Sequence, residues 1–233
     1  MNSICKKYIM IFTSAFLSGL CICFGASVYL ICQAYSMALK VVGSFMFGIG
    51  LFTIIHAHLW LYTGKAGYIL DNKPKYFIDL IVCFIGNALG CFVLAMLLKQ
   101  TRIGDSLIES ATPLVDAKMA DTWYSILILA MMCGVMIYLA VEGHKKCEYP
   151  LGKVLFVFMP VSLFILCSFE HVVANVVYFT YAGEFGAKVV LYFLIMFIGN
   201  ALGAVAFDGL LKLVSFLKKE EEPKMVEEEN QEQ

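Results

Sequence analysis

Apolar residues fall into six long blocks, separated by short polar stretches: roughly Tyr8 to Cys32, Val41 to Leu70, Tyr76 to Leu98, Trp123 to Val141, Val154 to Phe179 and Lys188 to Phe216. A bilayer core needs ~20 apolar residues per helix, so each block predicts one membrane-crossing helix. Two blocks are interrupted. The second carries His56, His58, Thr63, Gly64, Lys65 and Gly67, and the fifth carries Ser168, Glu170, His171 and Asn175. Gly64 and Gly67 would allow the backbone to leave the helix there. The residues from Lys218 onward are Glu, Lys and Gln with one proline, a composition that predicts a solvated, disordered tail.

A seven-residue string occurs twice. Phe84-Ile85-Gly86-Asn87-Ala88-Leu89-Gly90 is identical to residues Phe197 to Gly203. Each copy sits in the third block of its half. With three crossings per half, the second half enters the membrane in the opposite sense, which is the inverted-repeat plan of many transporters. The expected fold is therefore an all-α membrane protein. It has six transmembrane helices in two inverted three-helix repeats, with helices 2 and 5 interrupted. The repeats run over about 1–110 and 115–217 of one membrane domain, followed by a charged tail at 218–233.

Composition supports this picture. Hydrophobic residues make up 61% of the 233 and charged residues 15%, against ~45–50% and ~25% in soluble domains. The mean hydropathy is +0.82. The net charge of −1 gives no reason to expect nucleic acid as a partner. Basic residues lie mostly between blocks. With the N-terminus in the cytoplasm, Lys6, Lys7, Lys73, Lys75, Lys145, Lys146, Lys153, Lys218, Lys219 and Lys224 fall inside, and Lys40, Lys99, Arg102, Lys118 and Lys188 outside. That asymmetry places both termini in the cytoplasm. The first block follows Lys6 and Lys7 as a signal peptide would, but it is too long for one and reads as a retained helix. The nine cysteines have no metal-ligand spacing and read as small hydrophobes. Neither a metal nor a cofactor is expected, and His56 and His58, two apart, face different ways on a helix.

Each repeat contains Gly-x-x-x-Gly, Gly86 to Gly90 and Gly199 to Gly203, which lets another backbone approach closely. Asn87 and Asn200 lie beside that face. A buried Asn there must find partners, and the unwound backbone of a neighbouring broken helix would supply them. The motif could equally serve helix packing alone. His171 in mid-membrane is costly and should face a cavity or a partner, although a purely structural histidine bonded to a carbonyl remains open. On a regular helix Glu170 and His171 would point ~100° apart, so they do not form one dyad. Thr63 has a hydroxyl suited to orienting a histidine or a passing oxyanion.

Four short matches resemble the formate/nitrite transporter family. Phe169-Glu170-His171-Val172-Val173-Ala174-Asn175 is similar to the family's Phe-Glu-His-x-x-Ala-Asn, and Leu61-Tyr62-Thr63-Gly64 to its Leu-Phe-Thr-Gly. The paired Gly-Asn-x-x-Gly motifs and Leu139-Ala140-Val141, with Lys118 upstream, complete the set, in order from about residue 19 to 210. There are departures: Trp60 replaces a Glu, Ser168 a Gly, Val172 a small polar residue, and Gly134 an Asn. The resemblance implies an aquaporin-like protomer in a homopentamer, with one pore per protomer. The cargo would be formate, nitrite or related weak acids, with hydrosulfide, acetate or lactate as alternatives. It implies His171 as the central pore histidine with Thr63 across from it, Asn175 nearby, and constrictions at Phe47, Leu51, Leu61, Tyr62 and Phe164. Lys118 would stand at one pore periphery and Lys6 or Lys7 at the other. An aquaporin proper would carry Asn-Pro-Ala in two half-helices, which is absent here. A membrane enzyme using Glu170 and His171 lacks an accompanying nucleophile, cofactor motif or metal cluster.

Overall fold

The computed structural model describes the backbone of residues 3–231 and the side chains up to residue 219. In chain order the helices are α1 (Ser3–Tyr35), α2 (Met37–His56), α3 (Tyr62–Ala66), α4 (Tyr76–Lys99), α5 (Gly104–Ala120), α6 (Trp123–Lys146), α7 (Pro150–Leu166), α8 (Val172–Ala182) and α9 (Ala187–Gln231), with a 3-10 turn at Ile69–Asp71. The protein is all-α among the described residues. Five helices are long and apolar enough to cross a membrane: α1, α2, α4, α6 and the Ala187–Lys219 stretch of α9. The fifth apolar block is instead two shorter helices, α7 and α8, joined by an extended link.

Local chemistry fixes several boundaries. Only Ser36 separates α1 from α2, and its hydroxyl accepts from the Leu39 N–H at 3.2 Å, capping α2. Pro150 opens α7, where its missing N–H costs nothing. Gly183, at φ +74°, ends α8 in the left-handed conformation.

Three features depart from the sequence-based expectation. The stretch between the third and fourth blocks contains α5, an amphipathic helix that buries Leu107, Ala111 and Val115 against α1 and α8. No apolar block announces it, because its outer face carries Asp105, Glu109 and Asp116. The second block breaks between α2 and α3, ahead of Gly64. And α9 does not stop at Phe216: its backbone stays helical to Gln231. The tail's side chains beyond residue 219 lie outside the described residues.

Packing follows the repeat. α1 packs on α4 and α2, α6 on α9 and α7, and α2 meets α7. Large apolar side chains such as Phe24, Ile85, Leu97, Ile128, Leu194 and Ile198 remain exposed. In a soluble protein that surface would be a liability; it suits contact with lipid or with neighbouring subunits.

Candidate functional site

The site is built from two chain breaks of the same design. At the end of α2, Leu59 N–H bonds Ile54 O and Ala57 N–H bonds Thr53 O, both at 2.9 Å. At the end of α7, Phe169 N–H bonds Phe164 O and Cys167 N–H bonds Leu163 O, again at 2.9 Å. The residue at the turn is left-handed in each, His58 at φ 53° and Ser168 at φ 55°. This is the helix-ending arrangement glycine usually serves, and it explains a glycine at the position of Ser168 in the family pattern. Gly64 and Gly67 do not release the chain as expected. Gly64 lies inside α3, and Gly67 caps it at φ −61° beside the Tyr138 ring.

After each turn the chain runs extended and restarts as a short helix. Restarting inside the protein strands backbone groups, and the repeated asparagines take them up. Asn87 Oδ1 accepts from Tyr62 N–H at 2.8 Å, while its Nδ2 donates to Trp60 O at 2.9 Å and Ala15 O at 2.8 Å. Asn200 Oδ1 accepts from Val172 N–H at 3.0 Å, and its Nδ2 donates to Glu170 O and Ala130 O, both at 2.7 Å. Both asparagines are 0% exposed. Each therefore clamps the start of a half-helix to a neighbouring long helix.

The glycines make that reach possible. A Cβ on Gly86 would meet Phe12 O, and one on Gly90 would meet Phe16 O. A Cβ on Gly199 would meet Ala130 Cβ and Leu127 O, and one on Gly203 Met131 O. Gly134, in the position of a family Asn, is pressed against Asn200 O, so a side chain there would collide with the clamp's own backbone. Packing and polar roles are thus two parts of one motif.

Where the half-helices meet, Thr63 Oγ1 lies 2.8 Å from His171 Nε2, both buried. His171 caps α8: its Nδ1 accepts from Ala174 N–H at 3.0 Å. Since Nδ1 is an acceptor, the ring proton is assigned to Nε2, which donates to Thr63. Glu170 and His171 sit in the extended link, not on a helix, and point to different partners. Phe164 stacks on His171 at 5.5 Å between centroids and meets Phe47 edge-on at 5.7 Å. Leu51 and Leu61 are also buried. Tyr62, expected as a constriction, goes elsewhere. Its ring stacks on Phe197 at 4.1 Å and its hydroxyl donates to Phe197 O at 2.7 Å, and it lines neither of the two cavities described next. The Asn87 clamp on its N–H turns it into the α4–α9 contact.

One cavity lies on either side of this centre. The smaller, of about 180 Å³, is lined by Phe164, His171, Asn175, Tyr178, Glu170 and Lys118. Lys118 donates to both Glu170 carboxylate oxygens at 2.7 Å, and Asn175 Nδ2 donates to Glu170 Oε2 at 2.7 Å. The lysine expected at the periphery is thus neutralised by the glutamate next to His171. The larger cavity, of about 730 Å³, is lined by Leu51, Leu61, Lys65, His144, Lys145 and Lys153 among others. Lys6 and Lys7 do not line it; Lys7 is paired with Asp79 at 2.6 Å.

Sequence reasoning noted Lys65 only as an interruption of the second block, and it missed Tyr178. Tyr178 follows His171, Ala174 and Asn175 at helical spacing, so periodicity from the histidine would have found it. His56 and His144 approach at 5.2 Å between ring centroids. Among the described residues no group of three or more His, Cys, Asp or Glu is gathered that could hold a metal ion.

Comparison with known proteins agrees with this architecture. The chain is 26% identical over 196 residues to the uncharacterized transporter YrhG of Bacillus subtilis, covering 78% of this chain and 73% of that one. It is 25% identical over 186 residues to the formate channel FocA of Haemophilus influenzae, covering 73% of this chain and 65% of that one. Among solved structures, a pentameric formate channel with formate bound superposes with a TM-score of 0.78 at 20% identity, over 91% of this chain and 98% of the other. An ion channel of the same family superposes at 0.77 and 21% identity, over 92% and 91%. The formate/nitrite transporter family model matches residues 2–214, and the chain belongs to that family of membrane transport proteins.

Proposed function

We propose that this protein is a channel, passive or proton-coupled, that moves small monovalent anions such as formate or nitrite across a membrane with a proton. The single observation that carries this is the Thr63–His171 pair, a buried polar contact set among Phe47, Leu51, Leu61 and Phe164. An apolar constriction replaces none of an ion's hydration and so rejects it. A weak acid passes if it is neutral there. As the anion leaves a cavity for lower dielectric, desolvation favours its protonated form. With Nδ1 engaged by Ala174 and the proton on Nε2, His171 acts as a fixed donor, and the proton comes from water. Thr63 completes the polar step between the gates. Acetate, lactate and hydrosulfide have the same chemistry and are the alternative cargoes.

The assembly is a homopentamer with one pore per protomer, supported by the fold shared with a pentameric formate channel. Six crossings in two inverted halves, residues 1–217, put both termini and the larger cavity on the cytoplasmic side of the cell membrane. Residues 218–233 form a cytoplasmic tail. The lysine asymmetry in the sequence supports that orientation.

The test is uptake of labelled formate into proteoliposomes under an imposed pH gradient, comparing the protein with His171→Ala. Uptake that follows the proton gradient and collapses in the variant is expected. Large formate currents at fixed voltage without pH dependence would overturn the mechanism.

A further inference from the structure

The two links correspond position by position, so Trp60 occupies the place of Glu170, and Lys65 that of Asn175. At the second break the glutamate holds a lysine and the asparagine together. At the first break no carboxylate stands in that place. Instead the Lys65 ammonium lies over the Trp60 ring, 5.4 Å from its centroid. Among the described residues no Asp or Glu oxygen is within 4.0 Å of Lys65 or Lys153, whereas Lys145 shares Glu142 with Lys146. Lys65, Lys145 and Lys153 line one cavity together with Trp60, and among the described residues no carboxylate side chain lines it.

We infer that Lys65 and Trp60 form an anion-binding site in the larger cavity for small monovalent carboxylates and oxyanions; this deepens the channel function proposed above and rests on it. The ammonium supplies charge in a half-apolar cavity where its attraction is stronger than in water. The indole holds it by a cation–π contact that, unlike a carboxylate, leaves it free to take an anion. The other cavity has no such site, because Glu170 already occupies Lys118. The two mouths of the pore therefore differ in affinity. A passive channel must keep the same ratio of maximal rate to half-saturation in both directions, so tighter capture from the larger cavity comes with a proportionally slower maximal flux from that side.

The site carries its own reporter. The chain has two tryptophans, and Trp123 is exposed, so Trp123→Phe leaves Trp60 as the fluorophore. The experiment titrates the purified Trp123→Phe protein with sodium formate against sodium chloride at equal ionic strength, then repeats it with Lys65→Gln and Lys65→Arg added. A saturable formate response is expected, weakened by about tenfold or more in Lys65→Gln and retained in Lys65→Arg. A response unchanged in Lys65→Gln overturns the site. Should Lys65→Gln fail to assemble, the absence of a saturable response in the Trp123→Phe protein alone overturns it. Formate flux into liposomes without a Lys65-dependent response removes the site and leaves the channel; binding without flux removes the channel and leaves the site.

Discussion

After its left-handed turn the first break presents Trp60, Leu61, Tyr62, Thr63, Gly64 and Lys65. The second presents Glu170, His171, Val172, Val173, Ala174 and Asn175. The backbone of the two is nearly the same: equivalent hydrogen bonds close each helix, and an asparagine clamps each restart. The side chains share almost nothing. The comparison separates two demands on one motif. Burying an interrupted backbone requires a partner for every stranded N–H and C=O; the two asparagines meet that demand in the same way, while Trp60 N–H bonds Ser14 Oγ where Glu170 N–H bonds Leu129 O. What the break does to a solute depends on the residues carried by the link, and those are free to differ. Here one link carries the hydroxyl and an ammonium stacked on an indole, the other the imidazole and a glutamate neutralised by Lys118.

The comparison can be broken first at its charges. Glu170→Gln leaves Lys118 without a counter-charge in a buried setting, and removing one partner of a buried pair costs about 3–5 kcal/mol. Thermal unfolding of the purified protein should show a large loss, whereas Trp60→Gln at the equivalent position should lose packing and the weaker cation–π contact with Lys65, about 0.5–2 kcal/mol. Equal losses would mean that the two links do not differ electrostatically.

The next cut goes through what they share. Asn87→Ala strands Tyr62 N–H and Trp60 O, and Asn200→Ala strands Val172 N–H and Glu170 O. At roughly 1–3 kcal/mol for each unsatisfied buried group, each substitution should cost about 3 kcal/mol. The two midpoints in a denaturation series should agree within about 1 kcal/mol. A clear disagreement would show that the repeats do not carry equal loads.

The smallest effect is expected at the turns. A non-glycine residue in the left-handed region costs about 1 kcal/mol, part of which glycine returns in unfolded-state entropy. Ser168→Gly and His58→Gly should therefore shift the unfolding midpoint little, while Ser168→Val should lower it.

Much of this was legible in the chain. The apolar blocks gave the long helices, because lipid leaves hydropathy as the dominant constraint. The polar residues at 56–67 and 168–175 marked the interrupted blocks. The duplicated string pointed to the clamps without deciding them, since Gly-x-x-x-Gly could equally have served helix packing alone. The position of the breaks was not legible: Gly64 and Gly67 drew attention, yet the turn falls on His58, just ahead of the Trp60 carbonyl and Tyr62 N–H that the distant Asn87 holds. Tyr62 resembled a constriction, but its direction is set by the same asparagine. α5 escaped because amphipathic surface helices lack an apolar run. The Lys118–Glu170 pair escaped because it joins residues far apart in sequence, through a helix the hydropathy pattern does not show.

The account rests most on His171 being a fixed donor held by Ala174 and Thr63. A variant retaining His171 as its single histidine, with His56, His58 and His144 changed to Gln, can be labelled with 15N and studied in liposomes by solid-state NMR. The account predicts one ring species at neutral pH, protonated at Nε2 and unprotonated at Nδ1, with the Nε2 signal displaced in Thr63→Val. A ring protonated at Nδ1, or at both nitrogens, would contradict it.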